Sequence, residues 1–237
     1  MLCIGMVNLY RQTSDAQTIM KLCNATSNLA GRLGTGEIGR DGSAMIVRTE
    51  AGSRVLAIAR WGMPSSSNAM FHAASRRLDK QRVTHRSLSF AEIRRCEPDR
   101  GVMTIQNTMA QNWEKWLGPD HRCLVPFTAF CKPVRETGGK YIDAWLRLAS
   151  DGQEKIGFFA GIHMKGWEGV RDRKSGRQVL NLFAILTTDP SQSVQEAPSA
   201  IPAILTTMQE YETWLSAPWP AAAMLQRAVP HSMIVPV

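Results

Sequence analysis

A chain of 237 residues is long enough to bury a substantial core, and 44% hydrophobic with 20% charged residues is ordinary globular usage, which excludes a disordered or fibrous architecture. No apolar run approaches the roughly 20 residues that a membrane helix needs, and the N-terminus lacks the pattern of a secretory signal, so we expect a cytoplasmic protein without membrane contact. The formal net charge of +8 is compatible with an anionic partner.

The first predicted elements are a helix and a hairpin. The string S-D-A-Q from Ser14 to Gln17 has the pattern of a capping box and predicts a helix from about Asp15. Residues 44–49 and 54–61 are rich in β-branched and apolar side chains, and a glycine-containing turn separates them. This pattern predicts two antiparallel strands.

A polar and basic segment, about residues 65–100, follows the hairpin and is interpreted as an insertion in the same domain. Residues 68–81 and 89–97 are predicted helices, the second with the capping box S-F-A-E. From Arg76 to Arg100 the segment carries eight Arg and Lys residues against four Asp and Glu. Such a segment either follows nucleic-acid phosphates or forms an ordinary charged surface. The candidate phosphate contacts are Arg76, Arg77, Arg82, Arg86, Arg94 and Arg95.

The second half of the chain is richer in strands. Thr207 begins a further capped helix, a last short helix is predicted over residues 221–227, and the chain ends in a short apolar strand. Strands interrupted by helices without a regular βαβ rhythm predict an α+β fold, which we expect to form one domain over residues 1–237. The additional strands are predicted near residues 123–130, 144–149, 156–163 and 180–188.

The five cysteines are scattered, with no C-x-x-C spacing and no nearby paired histidines. Reduced and mostly buried thiols are therefore expected. No pattern for a metal or another cofactor is found in the sequence. The cysteines are Cys3, Cys23, Cys96, Cys123 and Cys131.

Several strings are far more specific than these patterns, and in their order along the chain they resemble the SRAP family of abasic-site-processing proteins. The resemblance runs from Met6 to the C-terminus. It implies a curved, mostly antiparallel, barrel-like β-sheet body with flanking helices, and residues 1–5 become an N-terminal extension. The strings are NLY (8–10), RWGMP (60–64), NWEKWLGPDHRCLVPFTAF (112–130), FFAGI (158–162), FAILTTDP (183–190), IPAILTT (201–207), WLSAPW (214–219) and LQR (225–227).

The resemblance also implies a function in the DNA damage (SOS) response, with single-stranded or abasic-site DNA as the partner. We expect the protein to be a monomer. In the family, an N-terminal cysteine offers its amine and thiol to the aldehyde of the abasic sugar and closes a thiazolidine crosslink. The family is also associated with a peptidase label. No serine or cysteine in this sequence is visibly partnered with a suitable histidine, so we expect no peptidase activity.

The positions that match the family's reactive residues carry other side chains. The cysteine before N-L-Y is replaced by Val7, which has no thiol, and the family's glutamate is replaced by Lys132. The asparagine and arginine of the N-x-R segment fall on Thr104 and Gln106, and the histidine falls on Ala197, or on Pro198 if a nearby one-residue gap is moved. These replacements predict a pseudoenzyme in which the crosslinking chemistry is lost.

Other matched residues could still contact DNA. Trp61 matches an aromatic that in the family stacks on or beside bases, although a tryptophan that packs a strand end would give the same string. Asn8, Gln106, Asn107 and Lys132 complete the candidate contacts. Core packing is expected instead for the tryptophans in helical or turn contexts, namely Trp113, Trp116, Trp214 and Trp219.

The leading hypothesis is therefore binding of single-stranded DNA without thiazolidine chemistry. One alternative is residual imine or lyase chemistry at Lys132, if burial lowers its pKa, or at the amine of Val7, if translation begins at Met6 rather than Met1. Another alternative is an interaction module without a DNA role, or a decaying gene copy.

Overall fold

The computed structural model describes residues 7–31, 33–83, 88–135, 141–150, 155–188 and 200–237. Its elements are the strands β1 (Leu9–Gln12), β2 (Ser27–Asn28), β3 (Gly36–Gly39), β4 (Ser43–Glu50), β5 (Ser53–Trp61), β6 (Thr104–Ile105), β7 (Arg122–Phe127), β8 (Ala129–Arg135), β9 (Tyr141–Leu148), β10 (Gly157–Val170), β11 (Arg177–Leu186), β12 (Ile204–Leu205) and β13 (Ile234–Pro236), and the helices α1 (Ala16–Cys23), α2 (Ser67–Val83), α3 (Phe90–Cys96), α4 (Met208–Ser216) and α5 (Trp219–Ala223).

Five strands close on themselves. Strands β10, β7, β4, β5 and β11 are neighbours in that order, and β11 also pairs with β10. All of these pairings are antiparallel except that of β5 with β11. A second, antiparallel sheet has the order β13, β9, β8, β1, β3. The predicted α+β fold with a curved, mostly antiparallel, barrel-like body is confirmed.

Two hydrophobic cores lie on opposite faces of the barrel strands, because successive side chains of a strand point to opposite faces. Met45 and Val47 of β4 belong to a cluster that also contains residues of α1 and α4. Ala44 and Ile46 belong to a second cluster, together with Tyr10 of β1 and residues of β8. The second cluster also contains Val7, one of the positions matched to the family's reactive residues, and is called the second core below.

Local sequence signals account for most helix starts. The capping boxes at Ser89 and Thr207 are both formed, with Glu92 and Glu210 closing them. The capping box expected at Ser14 was wrong: Asp15 is the N-cap, and its carboxylate accepts hydrogen bonds from the amides of Gln17 and Thr18.

The strand predicted near residues 123–130 is two strands in two sheets. Strand β7 belongs to the barrel and β8 to the second sheet, and Thr128 lies between them. An uninterrupted apolar run could not show this division, because residues 123–130 are all buried. The last predicted helix, residues 221–227, also differs: α5 is Trp219–Ala223.

The inserted segment is anchored at its base by buried polar contacts, which we call the clasp: Gly62, Ser65, Asp99, Gly101 and Arg171. The Asp99 carboxylate accepts from the Ser65 amide at 2.9 Å, from the Ser65 hydroxyl at 2.6 Å and from the Gly101 amide at 2.8 Å. Arg171, at the end of β10, donates to the carbonyls of Asp99 and Gly62. The two ends of the insertion are thereby fixed to the barrel.

Gly101 is required where these segments meet. Its φ of 71° lies in the left-handed region, which disfavours a side chain. A Cβ there would lie 2.5 Å from Nη1 of Arg171 and 3.0 Å from Cα of Gly62. The clasp therefore depends on close backbone approach as well as on charge.

Replacing Asp99 by Asn tests the clasp. The amide has one acceptor oxygen in place of two, so it cannot satisfy both amide donors and the Ser65 hydroxyl, and one of the two carboxylates near Arg171 is lost. We therefore expect roughly 3 kcal/mol lower free energy of unfolding, measured by urea denaturation. Glu168→Gln is the matched control: its ion pair with Arg177 is exposed, and its loss should cost under about 1 kcal/mol. Equal effects of the two substitutions would contradict the importance of the clasp.

Candidate nucleic-acid interface

Three of the matched positions, Val7, Thr104 and Lys132, belong to the second core or lie within two residues of one of its members. Val7, which is 2% exposed, lies in the second core with Met103 and Phe130. Met103 precedes Thr104, and Phe130 lies two residues before Lys132 on the same face of β8. Ala197 lies outside the described residues, and so do Met6 and Cys3.

Lys132 is a buried basic residue on strand β8 of the second sheet. Tyr10 of β1 pairs with Phe130 of β8, and the same register continued by two residues brings Asn8, which is exposed, level with Lys132. The Lys132 residue is only 9% exposed, and burial lowers the pKa of its ammonium. Within the described part of the chain, no hydrogen bond or ion pair of Lys132 is found.

Thr104 and Gln106 lie at the edge of the barrel, where β6 pairs with β11. Thr104 is half-buried, whereas Gln106 and Asn107 are exposed. The Nε2 group of Gln226 donates to the carbonyls of Gln106 at 2.7 Å and Thr187 at 2.8 Å, which anchors the chain after β6. The exposed amides of Gln106 and Asn107 can form hydrogen bonds but carry no charge.

The basic residues of the insertion do not all have the same environment. Arg76 is exposed on α2, whereas Arg77 is paired with Glu97 at 3.0 Å with both side chains largely buried. Arg94 and Arg95 lie on α3 and are exposed. Arg82 belongs to α2, but its side chain is not among those described, and Arg86 lies outside the described residues.

A cavity of about 460 Å³, the basic cavity, lies between α2, the segment after α3, and the turn between β10 and β11. Its charged lining residues are Arg76, Arg77, Lys80, Glu97, Arg100 and Arg173. Sequence reasoning missed Arg100 and Arg173 as partners of Arg76, because Arg173 is distant in sequence. The signal in the sequence was that the segments around Arg100 and Arg173 both carry basic residues.

The described parts of the chain contain no candidate metal site. No group of three or more His, Cys, Asp or Glu residues there could hold a metal ion. Cys23, Cys123 and Cys131 are buried and Cys96 is exposed. Burial raises the pKa of Cys123 and lowers that of His163 to about 3, so these two form no thiolate–imidazolium pair. No described helix has the length and apolar character needed to cross a membrane.

A sequence model of SRAP, described as SOS response associated peptidase, matches residues 104–235, more than half of the chain. The chain belongs to the SRAP family. Membership associates the protein with the DNA damage response. No curated protein matches significantly.

Solved structures resemble this SRAP protein over nearly its whole length. A protein from Bordetella bronchiseptica has 16% identity and a TM-score of 0.62, covering 97% of this chain and 99% of that chain. A protein from Bacteroides thetaiotaomicron has 17% identity and a TM-score of 0.63, covering 96% and 90%. A phage-related protein from B. bronchiseptica has 17% identity and a TM-score of 0.61, covering 97% and 93%. At such identities the likeness concerns the fold.

Trp61, the expected base-stacking residue, lies instead in the second core of this SRAP protein. Its side chain is 0% exposed, and its indole Nε1 donates to the Met103 carbonyl at 2.8 Å. Phe183 stacks on the ring at a centroid distance of 6.3 Å, and Tyr10 meets it edge-on at 5.1 Å. These contacts leave no ring face for a base. Among the tryptophans expected in the core, Trp113 and Trp214 are buried, whereas Trp116 and Trp219 are half-buried.

The substitution Trp61→Leu separates packing from DNA contact. We expect a loss of roughly 2–4 kcal/mol in the free energy of unfolding, because a buried ring and its hydrogen bond are removed. The affinity of the folded variant for single-stranded DNA should be unchanged in fluorescence anisotropy. A stacking residue would instead cost about 1–3 kcal/mol of binding free energy, with little effect on stability.

Proposed function

We propose that this SRAP-family protein binds single-stranded DNA non-covalently and has lost the family's thiazolidine chemistry. The observation that carries the proposal is the basic cavity. Five cationic side chains line it against one carboxylate, Glu97. Glu97 is already paired with Arg77, and within the described residues Arg76, Arg100 and Arg173 form no ion pair. These three guanidinium groups remain to bind an anion.

Phosphodiesters suit this arrangement. Guanidinium groups form forked hydrogen bonds with phosphate oxygens, and they are less strongly hydrated than ammonium groups. Arg76 comes from a helix of the insertion, Arg100 from its base and Arg173 from the turn between β10 and β11, so three chain segments converge. A DNA backbone that crossed the cavity would release counterions from successive phosphates, and its affinity would fall steeply with salt.

The matched positions support the loss of the crosslink. Val7 provides no thiol to close a thiazolidine, and its side chain is part of the second core. Gln106 is an uncharged residue where the family has a phosphate-contacting arginine. The location of charge in this protein therefore favours phosphate contacts on the insertion.

The salt dependence of binding tests this proposal. We expect the triple variant Arg76→Gln, Arg100→Gln, Arg173→Gln to bind single-stranded DNA more weakly and with a shallower slope of log K against log salt, by roughly 0.7 for each phosphate contact removed. The measurement is fluorescence anisotropy with a labelled oligonucleotide of about 20 nucleotides, longer than the roughly 4–16 that one groove covers.

The matched control removes the same charge elsewhere: Lys21→Gln, Arg147→Gln, Lys155→Gln, none of which lines the basic cavity. An equal reduction in both variants would mean that net charge alone matters. Absence of any binding by the unaltered protein at low salt would overturn the proposal and favour an interaction module or a decaying gene copy.

Residual imine chemistry is a second candidate function, and the burial of Lys132 favours it. The lowered pKa of Lys132 increases the fraction of uncharged amine near neutral pH, and the uncharged amine is the nucleophile. Its lone pair would add to the aldehyde carbon of an abasic sugar, and loss of water from the carbinolamine would leave an imine. Hydride from borohydride would reduce the C=N bond to a stable secondary amine.

A denaturing gel with an abasic oligonucleotide tests this candidate. We expect an adduct with borohydride but none without it, and we expect Lys132→Met to abolish the adduct because the nucleophile is lost. Lys155→Met, which removes an exposed lysine, is the control and should keep it.

Other outcomes of that gel are equally informative. An adduct without reductant would mean that family-type crosslinking survives. A trapped adduct that persists in Lys132→Met would point to the alternative amine at Val7, which intact-mass evidence for removal of Met6 would support and retention of Met1 would exclude. No adduct in the unaltered protein would end the imine candidate and leave the binding proposal intact.

A further inference from the structure

A second, larger cavity lies beside the basic cavity and has a different chemistry. Its volume is about 820 Å³, within the usual range of roughly 300–1,000 Å³ for ligand sites. Two half-buried indoles, those of Trp116 and Trp167, line it with the buried Trp113, together with Met164 and the exposed amides of Gln111 and Asn112. We call it the indole cavity. Val7, Thr104, Gln106 and Lys132, the described positions matched to the family's reactive residues, do not line it.

The charges of the two cavities differ in a way that matches a nucleotide. The indole cavity has one carboxylate and one ammonium in its lining, Glu114 and Lys115, which balance each other. Lys115 lies over the Trp116 ring at 4.8 Å and Arg171 over the Trp167 ring at 4.4 Å from the centroid, so a base would stack on the opposite faces of these rings. Side-chain amides can bond to base edges. The basic cavity offers guanidinium groups for phosphates. One cavity therefore suits the base and the other suits the backbone.

The two cavities meet at Ser65, which lines both. Ser65 is held there by its two hydrogen bonds to the Asp99 carboxylate. The guanidinium of Arg171, which completes the clasp, lies 4.4 Å from the ring centroid of Trp167. The clasp thus fixes the boundary between the cavities and also one wall of the indole cavity.

The position of the Trp167 indole depends on a glycine in the same strand. It lies in β10 two residues before Gly169, on the same face, and a Cβ on Gly169 would overlap the far edge of the indole. Only glycine at this position lets the ring lie where it lines the cavity. Because the half-buried ring keeps an exposed part, its placement is not explained by core packing alone.

We propose that the indole cavity is a nucleobase pocket, which takes a base of the same single strand whose phosphates occupy the basic cavity. This inference rests on the proposed function, since it assumes a single-stranded DNA partner. It adds a base-recognition site, made by this chain's own tryptophans, at the base of the insertion. The opposite charges in the lining of the pocket balance each other, and stacking accepts any base, so we expect little preference for one base over another.

The test compares two labelled anions of equal length, an oligothymidylate and a phosphodiester chain of abasic spacers that has no bases. We expect the unaltered protein to bind the base-bearing strand about tenfold more tightly, equivalent to ~1.4 kcal/mol. Trp167→Ala should reduce this ratio to near one. Gly169→Ala should do the same by displacing the indole, and it leaves the charge of both cavities unchanged.

The controls separate the pocket from other effects. Trp219→Ala removes a half-buried indole outside both cavities and should preserve the ratio. The triple Arg→Gln variant should bind both anions more weakly while preserving the ratio of their affinities. If the unaltered protein binds both anions equally, or if Trp167→Ala and Gly169→Ala keep its preference, the nucleobase pocket is refuted while the proposed function stands. If neither anion binds, the proposed function itself fails.

Discussion

The arrangement of the insertion depends on the buried polar contacts of Arg171 and Asp99. The side chains of Arg171 and Asp99 are 2% and 6% exposed, and their closest N–O distance is 4.0 Å. Direct attraction at this distance is modest, so the main contribution comes from hydrogen bonds that each group makes to the backbone. Asp99 binds donors from both ends of the insertion, and Arg171 binds carbonyls from both ends. Removing either side chain would leave several buried polar groups without partners.

This constraint also explains how a long insertion coexists with a closed barrel. The chain leaves β5 and returns to β6, and both strands pair with β11 in parallel. Between them, Met63 and Val102 form an isolated antiparallel bridge, so the insertion begins and ends at adjacent points. The entropic cost of closing a loop grows only slowly with its length, so a long insertion costs little more than a short one once its two ends are held together at this base. The segment beyond it could change in sequence without disturbing the barrel.

Sequence patterns predicted the elements whose signals are local, and missed features that depend on distant partners. The capping boxes at Ser89 and Thr207 and the β4–β5 hairpin need only neighbouring residues, and all are present. Trp61 shows the opposite case: its string fits an exposed stacking residue and a packed one equally, and only Met103 and Phe183, far away in the chain, decide between them. The burial of Lys132 likewise follows from the pairing of β8 with β1 and β9. The division of residues 123–130 between two sheets was invisible because these residues form an almost continuous apolar run.

The separation of the matched positions from the two cavities has a physical consequence for how this site could change. The thiazolidine chemistry that the resemblance implies for the family requires several reactive groups in one geometry, and Val7 supplies no thiol for it. Binding through stacking and phosphate contacts has no such requirement, because each contact contributes almost independently. The clasp lies with the cavities and uses none of Val7, Thr104, Gln106 or Lys132. The surface proposed to bind DNA therefore does not depend on the residues at these positions, and at Lys132 burial lowers the pKa because it penalises the charged ammonium.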